Sequence, residues 1–261
     1  MKTSTSKRLR WNVAIWLAAG LFMTSTAGMA AGPIMPDPKA EARHQPQIEE
    51  TANGIPLVNI TAPSSGGVSR NEYETFNVPD KGAILNNSYT LSKTELAGYV
   101  QGNNNMAERP AKIIVNEVTG PGPTSMDGFL EVAGNRADVV IANPNGITVN
   151  GGGFINTGKA FLTTGKPVYD GEDHLQRFDI TGGDILIEGK GLGGKETGSL
   201  AILSRAVRIN AGIWAKDLHI TTGANSIDAK TLEASAIEGK GGHPAFALDT
   251  AAIGGMYAGR I

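Results

Sequence analysis

The sequence predicts an all-β protein whose short strands stack as the coils of a solenoid, with an antiparallel sandwich as the alternative. Three observations carry this. Glycine supplies 35 of 261 residues, which suits many tight turns and few long helices. Short β-rich pieces recur along most of the chain, many with apolar–x–apolar alternation that puts two side chains on one face of a strand. No stretch keeps a helical period over three turns. The nearest candidate, Ser92–Tyr99 with Leu96 and Val100 on one side, gives one or two turns and is weakened by Gly98.

The first thirty residues stand apart. Lys2, Lys7, Arg8 and Arg10 form a basic opening, an apolar run follows from Val13 to Met23, and small residues lead to Gly28 and Ala30. That order predicts a signal peptide over 1–30, which addresses the chain to the inner-membrane secretion machinery. The run is short for a membrane span, so a single N-terminal anchor is the weaker reading. The whole chain carries −2, and the first thirty residues hold four bases and no acid, which leaves −6 on the remainder. A mildly acidic protein disfavours nucleic acid or anionic lipid as its main partner. There is no cysteine, so no disulfide would lock a loop during export.

Residues 31–51 contain Pro33, Pro36, Pro38 and Pro46 among charges and are expected to form a flexible leader. From there to Ile261 lies the folded domain. Its strand candidates include Leu57–Ile60, Ile113–Val115, Val139–Ile141, Ile147–Val149, Phe161–Leu162, Ile185–Ile187, Ala201–Leu203, Val207–Ile209 and Leu218–Ile220. Val139/Ile141, Phe161, Ile185/Ile187 and Val207/Ile209 recur about every twenty to twenty-four residues, the length of one solenoid coil. Coils that cannot bury their apolar faces alone must stack. The strand-like pattern of Ile253–Ile261 carries no cap, so further coils are expected beyond it.

The clearest local segment runs from Ala137 to Thr157 and reads strand, turn, strand, turn. Pro144 sets φ at the first turn position, Asn143 before it is held extended, Asn145 can bond back to the backbone, and Gly146 can take a positive φ. Gly151–Gly153 allow a close corner before Phe154 and Ile155 return to the core.

This segment resembles the two-partner secretion (TPS) domain of filamentous-haemagglutinin-like exoproteins, a family that includes the contact-dependent growth inhibition proteins. Asn143-Pro144-Asn145-Gly146-Ile147 resembles the family's signature. Val68–Asn71 with Phe76–Val78, Gly82–Ser88, Ile114–Thr119 and Gly254–Ala258 resemble further ordered blocks, over residues 52–261. An earlier Asn-Pro-Asn-Leu block is replaced here by Asn103-Asn104-Asn105-Met106, which puts in question how that turn forms without a preset φ. The resemblance implies a right-handed parallel β-helix, a single-stranded solenoid with extra-helical capping strands. It also implies a secreted or surface location and an outer-membrane TpsB-type β-barrel transporter that recognises the domain through periplasmic POTRA modules. The rest of the exoprotein would then be an adhesin, haemolysin or toxin.

Signals for chemistry are weak. Gly189–Gly194 satisfies G-x-G-x-x-G, but no helix pattern follows to face a phosphate, and Glu196 stands where a P-loop needs Ser or Thr. Asp170, Glu172, Asp173, His174 and Asp179 form an acidic loop without calcium-loop spacing and are expected to be a solvated loop. The histidines, His44, His174, His219 and His243, make no helical metal pair. No catalytic residue, cofactor or metal is assigned. An independent β-helix adhesin and a polysaccharide lyase remain as rival functions, because fold alone decides neither.

Overall fold

The computed structural model describes residues 32–242, 244–250 and 254–261. The expected signal peptide lies outside the described residues, as does His243. The described chain winds as a parallel β-helix with three strand faces. The first face is formed by Val68–Phe76, Ile113–Val118, Ala137–Ala142, Thr157–Thr163, Ser199–Ser204 and the second half of Gly212–Thr222, all parallel. The second is formed by Pro56–Asn59, Ala83–Asn87, Phe129–Gly134, Gly152–Ile155, Leu192–Gly194, the first half of Gly212–Thr222, and Gly255–Arg260. The third is formed by Thr124–Met126, Ile147–Val149, Asp184–Ile187, Ala206–Ile209 and Leu248–Thr250.

Alternation decides what points inward. One column on the first face reads Ser69, Ile114, Val139, Ala160, Leu200 and Leu218 in successive coils. On the third face the corresponding column is Thr124, Ile147, Ile185, Val207 and Leu248. From Ile114 to Leu218 and from Ile147 to Val207 these side chains stack into one core, whereas Ser69 and Thr124 are buried polar ends of the columns and Leu248 is exposed. Each fully buried Ile or Leu contributes about 1.5–3 kcal/mol, and losing one leaves a gap in a column rather than in a single contact.

Three elements lie outside the helix. An antiparallel sheet of Lys166–Tyr169, Leu175–Ile180, Asn225–Asp228 and Ala234–Ala236 covers the outer side of the first face. Phe178, Ile180 and Ile227 pack there on Val115, Val140, Phe161 and Ala201 as a second core. A hairpin of Ser92–Thr94 and Gly98–Val100 covers the start of the second face, where Val100 and Leu96 meet Leu57, Ile84 and Ala133. At the N-terminal end, Ile34–Pro36 pairs antiparallel with Val68–Phe76, and Gln47–Glu50 with Pro56–Asn59.

Four expectations are corrected. The leader expected to be flexible is ordered from Ile34: proline is tolerated on an edge strand, and Pro36 sits on one while Ile34 is buried. The helical candidate Ser92–Tyr99 is the outer hairpin, whose turn places Gly98 at φ +71°. Phe154 returns to the core, but Ile155 faces out. The strand recurrence was read as one series, yet Val139 and Phe161 lie on the first face and Ile185 and Val207 on the third. Ala160 pairs with Leu200 rather than with a residue one short coil away, because the hairpin Lys166–Ile180 is inserted between them.

Candidate functional site

The Asn143–Ile147 turn links the first face to the third. Its backbone closes with the Gly146 N–H donating to the Asn143 carbonyl at 3.1 Å, and Gly146 adopts φ +112°. Asn143, not Asn145, bonds back to the local backbone: its Oδ1 accepts the Asn145 N–H at 2.9 Å. The Asn143 Nδ2 donates to the Gly122 carbonyl and to Thr124 Oγ1, both at 3.0 Å, in the preceding coil. The Asn145 side chain reaches that same coil, donating to the Gly120 carbonyl at 2.8 Å. Asn143 is fully buried, so its bond to Thr124 is protected from water and costly to lose, while the bonds to Gly122, Asn145 and Gly120 are partly buried. Ile147 then enters the core beneath the turn. Two asparagines thus tie one coil to the coil before it.

The Asn103–Met106 turn has the same construction without proline. Asn103 Oδ1 accepts the Asn105 N–H at 2.9 Å, and the Met106 N–H donates to the Asn103 carbonyl at 3.0 Å. Asn103 Nδ2 donates backward to the carbonyls of Ile60 and Asn86, and Asn105 Nδ2 donates to Ile60 as well. Met106 takes the buried apolar position that follows. The loss of proline leaves this hydrogen-bond pattern intact.

Buried asparagines continue the theme in the first coils. Asn71 and Asn116 are neighbours on the first face and donate to the carbonyls of Val115 and Val140 in the next coil. Asn86 donates to Asn59 Oδ1 at 2.8 Å on the second face. Tyr73, fully buried, donates its hydroxyl to Asn116 Oδ1 at 2.9 Å. Below these coils the same inward position of the first face becomes Ile141, Leu162 and Ile202. The N-terminal end is therefore specified by polar bonds and the rest by apolar stacking.

A charged clasp, not foreseen from the sequence, closes over that end. Asp173, from the loop expected to be solvated, lies 2.7 Å from Arg43 Nη1, 3.4 Å from His44 Nε2 and 3.7 Å from Arg70 Nη1. His44 Nδ1 lies 3.0 Å from Glu72, and Arg70 Nη2 lies 2.8 Å from the same carboxylate. Arg70 also sits over the Tyr169 ring at 4.3 Å. Burial pushes the Glu117 carboxyl up, against the opposing pull of Arg70 nearby. Burial likewise pushes Tyr169 well above its ordinary value. Sequence reasoning missed this group because its members come from residues 43–44, 70–72, 117 and 169–173, and no local pattern links them.

The other sequence candidates stay apart. Gly189–Gly194 is a turn and a short strand, followed by a turn and the strand Ser199–Ser204, so no helix N-terminus is offered to a phosphate. His219 is exposed on its strand. Among the described residues no group of three or more His, Cys, Asp or Glu is placed to hold a metal, and no helix is long and apolar enough to cross a membrane.

The family model for the TPS secretion domain matches residues 33–261. The chain belongs to that family. This TPS domain is similar to the 16S rRNA endonuclease CdiA of Enterobacter cloacae, with 46% identity over 82% of this chain and 6% of that protein. It is similar to Toxin CdiA of Yersinia pestis, with 46% identity over 89% of this chain and 7% of that protein. Among solved structures it resembles the filamentous hemagglutinin secretion domain, with a TM-score of 0.78 and 33% identity over 86% of this chain and 76% of that one. The chain thus spans only 6–7% of the length of these two curated relatives. The resemblance carried by the Asn143–Ile147 block and its neighbours is borne out in family and in fold. The matched region corresponds to the secretion domain found in CdiA and filamentous-haemagglutinin-like exoproteins. Proteins of this family are secreted or associated with the cell surface, and a TPS domain implies a TpsB-type transporter as its partner.

Proposed function

We propose that this TPS domain is the address that the POTRA modules of an outer-membrane transporter read, and that its paired Asn turns start the β-helix as the chain leaves the cell. Residues 1–30 would first send the chain through the inner-membrane machinery as a signal peptide. In the periplasm the chain would remain extended, and the transporter modules would pair with its strands through backbone bonds, which tolerate varied sequence. Outside, the Asn103 and Asn143 turns would each clip a new coil to the one before it. A solenoid has mostly nearest-neighbour contacts, so later coils would add as they emerge, and folding would bias movement outward.

The observation that carries this reading is the matching pair of turns. Each donates side-chain amide N–H groups to the preceding coil, Asn103 to Ile60 and Asn143 and Asn145 to Gly122 and Gly120, and so rewards the addition of one coil. The test is release of the chain with and without a matched transporter, for the wild type, Asn103→Ala and Asn143→Ala. The expected result is transporter-dependent release of the wild type and reduced release of both variants. Release that does not need the transporter overturns the partner, and undiminished release of the variants overturns the role of the turns. As the chain is a small part of its relatives' length, we further propose that it exports a longer protein with a growth-inhibiting toxin.

A further inference from the structure

The outer side of the second face carries an aromatic strip. One outward register position reads Phe129, Gly153, Gly193, Trp214 and Tyr257 in five successive coils. Two aromatic ends are therefore joined by bare backbone. At the strand spacing of a β-sheet this column runs about 19 Å along the helix. The glycines are required by the rings. A methyl group at Gly153 would strike the Phe129 ring, one at Gly212 would lie 2.7 Å from the Trp214 ring, and one at Gly191 would lie 2.9 Å from it. The rings thus recline on the sheet instead of standing off it.

Trp214 and Tyr257 are stacked across neighbouring strands, at 12° with centroids 5.9 Å apart. The ends of the strip are open to solvent, with Phe129 42% and Tyr257 59% exposed, and Trp214 is half-buried between them. The outer hairpin that covers this face covers only its first coils. Charge lies beside the rings. Gly194 pairs with Ala215, so Lys195 and Lys216 fall at neighbouring positions next to Trp214. Both are exposed, and neither ammonium has a carboxylate or hydrogen-bond partner among the described residues.

Rings lying on glycines shield the strand backbone, which is a structural gain by itself. That gain does not call for exposed ring surface or for two unpaired lysines alongside it. Flat aromatic surface stacks on the C–H face of a sugar, and the lysines supply charge for carboxylates on it. We propose that this strip binds a uronic-acid type polysaccharide, with pyranose rings stacked on Phe129, Trp214 and Tyr257 and carboxylates over Lys195 and Lys216. General ionic attraction would not produce this binding, since the chain after the first thirty residues carries −6.

The test is native affinity electrophoresis of the purified chain in gels cast with polygalacturonate or with neutral dextran, with thermal melting of every variant. Polygalacturonate is expected to retard the wild type, and dextran to leave it unmoved. Tyr257→Ala and the pair Lys195→Gln/Lys216→Gln should each weaken the apparent affinity about tenfold. The lysine pair lies on the surface and should melt with the wild type, which keeps the test decisive if loss of the ring unfolds the last coil. No retardation of the wild type, equal retardation by dextran, or wild-type retardation of the folded lysine pair would each overturn the proposal.

Discussion

Asn103 and Asn143 hold equivalent places in two turns of the β-helix. Each Oδ1 accepts the backbone N–H two residues on at 2.9 Å, and each Nδ2 donates backward, Asn103 to Ile60 and Asn86, Asn143 to Gly122 and Thr124. Only one of the two has proline after it. The bond network therefore defines the motif, and proline prepares the chain for it.

Truncating either asparagine removes a buried acceptor and a buried donor from its turn. Asn143→Ala strands the Asn145 N–H and the Gly122 carbonyl, and should cost about 3 kcal/mol. Asn103→Ala should cost a similar amount. Urea unfolding of the folded chain measures both, and a midpoint unchanged from wild type would show that the side chains are replaceable by water.

Restoring the family's proline should help. Asn104 has no backbone hydrogen bond from its N–H among those found in the turn, and its φ is not positive. Asn104→Pro should therefore raise stability by about 0.5–1 kcal/mol by restricting the unfolded chain. A lower urea midpoint for this variant would show that the Asn103 turn differs in backbone angle from the Asn143 turn.

The inserted hairpin packs Phe178 into the second core beside Tyr169. Phe178 is fully buried, 6.0 Å from the Phe161 ring. Phe178→Ala should cost about 3–5 kcal/mol and loosen the outer sheet before the helix beneath it. Limited proteolysis should then cut the loop Asp170–His174 first. Cleavage spread evenly along the chain would contradict this order.

Glu117 should give stability a measurable pH slope. Burial raises its folded-state pKa above the ordinary 4.5. Between the unfolded and folded pKa the native state binds more protons, so stability is full below about 4.5 and falls as pH rises through the folded value. Thermal midpoints of wild type and Glu117→Gln, measured from about pH 4 to pH 7, should diverge, with the variant gaining relative to wild type as pH rises. Parallel profiles would mean that Arg70 and Tyr169 fully offset the burial.

The strand pieces were legible because alternation is local: Val139, Ile141, Ile147 and Val149 declare their inward side within a few residues. The Asn143 turn was legible too, since proline, asparagine and glycine each restrict their own backbone, although the back-bonding oxygen belongs to Asn143 and not Asn145. The coil register was less so. Ile185 and Phe161 look alike in sequence, yet one faces the core and the other, between the inward Ala160 and Leu162, faces the outer sheet.

By itself the sequence determined a glycine-rich chain of short strands with an Asn-based turn, since these follow from backbone angles and short-range periodicity, while the parallel β-helix rested on the resemblance of its ordered blocks to the TPS domain. Only the tertiary structure decided that Asn103 builds the same turn without proline, that the residues from Ile34 onward cap the helix, and that Asp173 clasps Arg43, His44 and Arg70. Those contacts join segments far apart in the chain. Their partners are chosen by how coils stack and where an insertion folds back, and neither is written in any single stretch of residues.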